Sequence, residues 1–145
     1  MYHYTESGLN NIWLANGYRE IETPYGKSVA IENADELHKA IALSLVNHKP
    51  RLSGGEFRFI RKELDFSQAA LAGILGNDSQ SVARWEKKGR VPKMAERFLR
   101  AIYRETAEGN ADIIKLVDRI NQIDQQNLKR MVFEETERGW EPQAA

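Results

Sequence analysis

The chain lacks cysteine altogether, so it can form no disulfide and cannot hold zinc through thiolates. It also lacks an apolar run of membrane-spanning length and a basic-then-apolar segment at its N-terminus. We therefore expect a soluble cytoplasmic protein. Its 145 residues suit one domain, or a small domain with appendages.

Residues that could carry out catalysis or bind a metal are equally scarce. The sequence offers no Ser/His/Asp constellation, no glycine loop that could cradle a phosphate and no cluster of metal ligands. His38 and His48 stand ten residues apart, with no partner at ligand spacing. We expect both to be surface or hydrogen-bonded side chains, and we predict no enzyme activity, no cofactor and no metal site.

The net charge is zero, which at first argues against a nucleic-acid partner, but the charges are unevenly distributed. Residues 54–105 carry eleven Lys and Arg against seven Asp and Glu, whereas the segments on either side are net acidic. Between Ser79 and Lys93 there are five basic residues and a single acid, Glu86. A solvated helix face would alternate in sign, so this cluster indicates a surface that attracts phosphates.

The stretch from Phe66 to Gly89 predicts two short helices joined by a tight turn. Ser67 can cap the first helix, and either Asp78 or Ser79 can cap the second. Gly76 stands where the chain needs a left-handed residue. Apolar residues predicted to face the core are Ala70, Leu71, Ile74, Leu75, Val82 and Trp85.

The opposite face of the second helix is polar and cationic. A helix-turn-helix presents such a face to the major groove of DNA. The face comprises Ser79, Gln80, Ala83, Arg84, Lys87 and Lys88.

This segment resembles the phage-repressor-like (XRE, Cro-type) helix-turn-helix family. Five positions at fixed offsets match the family pattern: Gln68, Ala72, Gly76, Val82 and Trp85. The WEKKG ending resembles the W-E-x-G tail of that family with one extra lysine. The resemblance covers residues 54–105, about a third of the chain.

The resemblance implies contacts with DNA bases by Ser79, Gln80 and Arg84. Arg84 would bind guanine at O6 and N7, and Gln80 would bind adenine at N6 and N7. Lys87, Lys88 and Arg90 would contact backbone phosphates.

The resemblance also implies two supporting roles. Gln68 would hold a phosphate or brace a recognition residue. Arg61 and Glu86 would form a partly buried ion pair that braces the recognition helix, the alternative being a surface pair of little energetic value.

The motif and the rest of the chain together predict a mostly α fold. In this fold a small antiparallel β/α unit precedes a helix-turn-helix bundle of four to five helices. We divide the chain into a sheet-plus-helix unit (residues 1–50), a DNA-binding domain (51–108) and a C-terminal helix and tail (109–145). The expected strands are Tyr2–Tyr4, Asn11–Leu14, Tyr18–Thr23 and Ser28–Ile31, with turns at Asn16-Gly17 and Pro24-Tyr25-Gly26. The aromatic residues of this unit could stack on bases, but we favour a core role for Tyr2, Tyr4, Trp13, Tyr18 and Tyr25.

Three further helices are expected. The first is capped by Asn33 or Asp35 and buries Leu37, Ile41 and Leu45. The second, Glu56–Leu64, follows a capping box formed by Ser53 and Glu56, buries Phe57, Ile60 and Leu64, and directs Arg58, Arg61 and Lys62 outward or sideways. The third follows Val91-Pro92 and closes the core with Met94, Phe98, Leu99 and Ile102.

The C-terminal segment carries a narrow apolar seam, formed by Ile113, Leu116, Ile120 and Ile123. Two interpretations stay open: the seam docks on its own bundle, or on a second copy in a homodimer. Lys129–Thr136 is expected as one more strand, added to the N-terminal sheet, and Trp140 onward as loose chain.

Two functions stay open on the sequence. The first is a sequence-specific regulator that binds double-stranded DNA as a dimer and represses its own promoter. The second is an antitoxin or interaction protein whose N-terminal unit neutralises a toxin-like partner. The layout resembles antitoxins of the MqsA type, except that the zinc-binding cysteines of that type are missing here.

Overall fold

The computed structural model describes residues 1–109, 112–124 and 130–143. In these residues the chain is mostly α-helical, with short antiparallel strand pairs before and after the helices. The strands are β1 (Tyr2–His3), β2 (Trp13–Leu14), β3 (Tyr18–Thr23), β4 (Gly26–Ile31), β5 (Phe133–Thr136) and β6 (Gly139–Pro142). The helices are α1 (Ala34–His48), α2 (Gly54–Glu63), α3 (Gln68–Leu75), α4 (Ser79–Lys88), α5 (Lys93–Ala107) and α6 (Asp112–Asp124).

The predicted N-terminal sheet is instead two separate antiparallel ribbons, β1–β2 and β3–β4. Asn16-Gly17 therefore joins two ribbons and is not the hairpin turn that the dipeptide predicts. Gly17 does adopt a positive φ of 77°, but its carbonyl accepts from Glu32 N at the base of the β3–β4 ribbon. The second predicted turn is confirmed, since Thr23 pairs with Gly26 across Pro24-Tyr25.

The aromatic residues of this unit divide into two groups. Tyr4 is buried, and the rings of Tyr2 and Tyr18 pack 5.3 Å apart at the edge of the core. The predicted core role is wrong for Trp13, which is 57% exposed and stacks on His3, and for Tyr25, which is fully exposed at a hairpin tip. Trp13 and the buried Leu14 are neighbours on β2 and point to opposite faces, and Tyr25 lies in a turn, so the face or the turn decides exposure and composition alone does not reveal it.

Helix starts follow the local capping signals. Ser53 and Glu56 form a reciprocal capping box, Ser67 accepts from Ala70 N, and Asp78 accepts from Ser81 N. Helix α2 begins at Gly54, two residues earlier than predicted. Helix α1 follows Asn33, which is left-handed at φ 49° and makes no side-chain cap.

One hydrophobic cluster joins the N-terminal unit to the bundle. The residues shielded almost completely from solvent come from α2, α3, α4 and α5: Phe57, Ile60, Leu71, Val82, Leu99 and Ile102. Tyr4, Leu14, Ile41 and Leu45 of the N-terminal unit belong to the same cluster. The division at residue 50 stays a prediction, although the core runs across it.

Three predicted orientations are wrong. Ala70 is exposed because the buried face of α3 is centred on Leu71 and Ala72, which lie about 100° and 200° around the helix from it. Met94 is 79% exposed because it lies in the first turn of α5, before that helix enters the core. Arg61 is buried, whereas Arg58 and Lys62 point to solvent as expected.

The C-terminal segment begins with α6, which lies against α3 and α5 of its own chain. Of its predicted seam, Ile113 is half-buried and Leu116 is 53% exposed, while the side chains of Ile120 and Ile123 lie outside the described residues. The predicted tail strand forms as β5, but it pairs with β6 and is not added to the N-terminal ribbons. The expectation that the chain is loose from Trp140 is therefore wrong for Trp140–Pro142, while Lys129 and residues 144–145 lie outside the described residues.

No helix within the described ranges has both the length and the apolar character needed to cross a membrane.

Candidate nucleic-acid interface

Helices α3 and α4 meet through a three-residue turn that fixes the angle between them. Gly76 ends α3 in the left-handed region at φ 74°, and Asn77 N then donates to Ala72 O over 2.9 Å. Asp78 starts α4 by accepting from Ser81 N at 2.7 Å. Leu71 on α3 and Val82 on α4 are both fully buried, so each of the two helices is anchored in the core.

The polar face of α4 is directed away from the core. All three residues predicted to contact bases are exposed: Ser79, Gln80 and Arg84. Arg84 Nη2 lies 3.4 Å from Ser81 Oγ, a long contact that leaves the guanidinium available to a ligand. Within the described ranges, no ion pair engages these side chains.

The cations assigned to phosphates continue this surface at the end of α4. Lys87, Lys88 and Arg90 are exposed, and the described part of the chain provides no carboxylate within ion-pair distance of them. Gly89 lies between them in the left-handed region at φ 74° and ends the helix. The structure thus places Lys87 and Lys88 in the last turn of α4 and Arg90 directly after its C-cap.

Arg61 and Glu86 form a buried bidentate ion pair behind this face. Arg61 Nε lies 2.7 Å from Glu86 Oε2, and Nη2 lies 2.9 Å from Oε1. Their side chains are 7% and 4% exposed, so the surface alternative considered for this pair does not apply. Arg61 Nη1 also donates to Phe66 O at 2.8 Å, which ties α2, α4 and the start of the motif together. Removing one partner of such a pair typically costs about 3–5 kcal/mol, because the other charge stays buried.

Gln68 takes part in the same network. Its amide Nε2 donates to Glu86 Oε1 at 3.1 Å, and the side chain is half-buried. This contact matches the bracing role among the two roles implied for Gln68. Its contact with a phosphate stays a proposal.

The start of α2 passes unusually close to the end of α4. A Cβ added to Gly54 would lie 2.3 Å from Glu86 O and 2.7 Å from Trp85 O, both backbone atoms. Real Cβ atoms do not approach backbone that closely, so only glycine permits this approach. The ring of Phe57 on α2 then meets Trp85 edge-on, with centroids 6.2 Å apart. This role of Gly54 was not predicted from the sequence, although a glycine pair directly after a cap could have signalled it.

Asp78 is the acid that caps α4. Hydrogen bonds from the backbone and the hydroxyl of Ser81 lower its pKa below the ordinary value, and the charge of Arg84 acts in the same direction. The carboxylate is therefore ionised at neutral pH, and it stabilises the positive N-terminus of α4.

His38 is hydrogen-bonded, as expected, but it lies away from this surface. It bridges Tyr4 Oη at 2.6 Å and Glu63 Oε1 at 2.9 Å, which links the N-terminal unit to α2. In the described part of the chain no group of three His, Asp or Glu side chains could hold a metal ion.

In comparisons with known proteins, no family model, no curated protein and no solved structure matches the chain. What the site can bind is therefore inferred from its residues alone.

Proposed function

We propose that this chain is a sequence-specific regulator that binds double-stranded DNA, with α4 as the recognition helix in the major groove. The observation that carries the proposal is the asymmetry of α4. Its Val82 side is buried, while Ser79, Gln80 and Arg84 form an exposed polar face. The major groove is wide enough to admit an α-helix, and the base edges exposed there can accept hydrogen bonds from the polar side chains of this face.

Electrostatics and rigidity support the same proposal. Exposed cations at the end of α4 would attract phosphates, although the whole chain is neutral. The buried network of Arg61, Glu86 and Gln68 holds α4 in place, so the free energy of binding would not be spent on ordering that helix. As an autorepressor in the cytoplasm, the chain would act as a homodimer on two half-sites about one helical turn apart.

The test begins by selecting bound sequences from random double-stranded DNA with the full chain. Arg84→Ala should then weaken binding to the selected site by about 1–3 kcal/mol and relax the preference at one base pair, because a bidentate base contact is lost. Lys88→Ala should weaken all sequences alike and reduce the salt slope by about one, because only a phosphate contact is lost.

Arg19→Ala is the matched control, since Arg19 is an exposed arginine on β3. Affinity and base preference should be unchanged in this variant. Failure to enrich any sequence, or identical behaviour of the Arg84 and Lys88 variants, would contradict the assignment of roles.

Binding of a toxin-like protein is the second candidate, and one observation favours it. Trp13 and Tyr25 of the N-terminal unit are large aromatic residues exposed to solvent, and exposed aromatics are typical of protein interfaces. Co-purification with the product of the adjacent gene, and its loss in a Trp13→Ser, Tyr25→Ser variant, would support this second role. A chain that co-purifies equally well with and without both aromatics would count against it.

A further inference from the structure

A small basic cleft lies where the linker between α1 and α2 meets the first turns of α5. Its volume is about 190 Å³. Four of its six lining residues are cations and one is an acid, a high local charge in a neutral chain. The lining residues are Pro50, Arg51, Lys93, Glu96, Arg97 and Arg100.

Arg100 already has protein partners. Its guanidinium donates to the carbonyls of Val46 and Lys49 at the end of α1, at 3.0 and 2.6 Å, and it pairs with Glu96. Glu96 is 4% exposed and also accepts from Leu52 N at 3.1 Å. Glu96 thus pairs with Arg100 and also with Arg51, whereas within the described ranges it makes no ion pair with Lys93 or Arg97.

Arg51 is held in place but keeps part of its guanidinium open. Its Nη2 donates to Val91 O at 2.8 Å, and its Nε lies 3.0 Å from Glu96 Oε2. The side chain is 50% exposed and lines the cleft, so it is accessible to a ligand there. A guanidinium fixed in this way is pre-organised for a planar or tetrahedral oxyanion.

Lys93 and Arg97 complete the cleft from the first turns of α5. They are exposed and four residues apart on one helix face, where like charges repel each other. Within the described ranges neither has an acidic partner. Helix α5 also begins without a side-chain cap, because its N-cap residue is Pro92. The positive end of the helix therefore adds to the field of the three cations.

We propose that this cleft binds a phosphate group through Arg51, Lys93 and Arg97. A phosphate offers three acceptor oxygens to three cations, whereas a carboxylate offers two. Two sources share this chemistry: the backbone of DNA held at α4, and a free phosphorylated small molecule. The first source rests on the proposed function. Two residues separate Arg90 from Lys93, so their Cα atoms are at most about 11 Å apart and one DNA backbone could contact both.

The first arm of the test uses the full chain without DNA and inorganic pyrophosphate as the probe. Calorimetric titration at low salt should show binding that weakens at least about tenfold in a Lys93→Gln, Arg97→Gln double variant, a loss of about 1.4 kcal/mol. Both side chains are exposed, so the variant should keep its fold, which thermal melting checks. Arg19→Gln is the charge-matched control and should bind as the native chain does.

The second arm measures the salt dependence of binding to the selected DNA. If the phosphate belongs to DNA, the double variant should reduce the slope of log affinity against log salt by up to about two. An unchanged slope together with lost pyrophosphate binding assigns the cleft to a free ligand. If the native chain binds pyrophosphate but no DNA, and the double variant loses pyrophosphate binding, the phosphate site is supported and only the proposed function is contradicted. The inference would be overturned by two results together. In the first, the native chain and the double variant bind pyrophosphate equally well, or neither binds it. In the second, the salt slope of DNA binding is the same for both proteins, or neither binds DNA.

Discussion

Gly54 positions α4 although it has no side chain. Its Cα approaches the carbonyl oxygens of Trp85 and Glu86 so closely that a methyl group would lie 2.3 Å from the nearer oxygen. Gly54→Ala should therefore force α2 and α4 apart and destabilise the fold by about 1–3 kcal/mol, the usual cost of overpacking. Denaturant unfolding measures this loss, and DNA affinity should fall with it because α4 is displaced.

Gly55→Ala is the control for that prediction. A Cβ on Gly55 would meet its nearest atom, in Leu9, at 3.9 Å, which is ordinary contact. Alanine also suits the first turn of a helix better than glycine does. We expect native or slightly higher stability, and equal losses in the two variants would show that the close approach is not what matters.

Residue-scale features could be predicted from the sequence where the partners are near in the chain. The caps formed by Ser53, Ser67 and Asp78 each bond to a residue three positions on, so a local pattern reveals them. The Arg61–Glu86 pair spans 25 positions, and only the resemblance to a family suggested it. The close approach of Gly54 depends on backbone atoms of another helix, so the glycine pair after the cap can mark the position but cannot identify what it packs against.

At the scale of the element, the N-terminus of α4 should make stability depend on pH. Hydrogen bonds from Ser81 lower the pKa of Asp78 in the folded state. A lowered folded pKa adds stability above the ordinary value of about 4, and that stability is lost as the pH falls through the folded value.

Asp78→Asn tests this dependence, because asparagine also caps helices but carries no charge. We expect the native chain to lose stability more steeply than the variant below about pH 4, measured by urea unfolding across an acid series. The two proteins should be closest in stability at the acid end. Parallel acid limbs would contradict a role for the ionised cap.

Helices could be predicted from the sequence where the residues that start and end them lie within one short segment. The bounds of α3 and α4 follow from caps and glycines inside the motif. Strand pairing could not be predicted in this way. Strand β2 pairs with the preceding strand β1 and not with β3, and β6 pairs with β5 through Trp140, around which the sequence shows no strand pattern. Met94 shows the same limit, since its exposure depends on where α5 enters the core and not on its own periodicity.

At the scale of the molecule, the N-terminal unit and the helix-turn-helix share contacts that a boundary at residue 50 would cut. The ring of His38 on α1 packs 5.4 Å from that of Phe59, and its Nδ1 pairs with Glu63. Arg100 on α5 binds carbonyls at the end of α1. These contacts join side chains and carbonyls of both sides, so separating the two sides would lose the hydrogen bonds and expose apolar surface on each.

We therefore expect a fragment of residues 1–109 to unfold in one cooperative transition, and a fragment of residues 51–109 not to fold stably alone. Without α1, Phe59 becomes exposed and Arg100 loses its carbonyl acceptors, while Glu96 remains in the core. Circular dichroism melting and calorimetry of the two fragments measure this difference. A cooperative transition in the shorter fragment, near the melting temperature of the longer one, would show that the motif folds by itself. In that case the unit before residue 50 would be an independent domain, and the orientation of α4 would not depend on it.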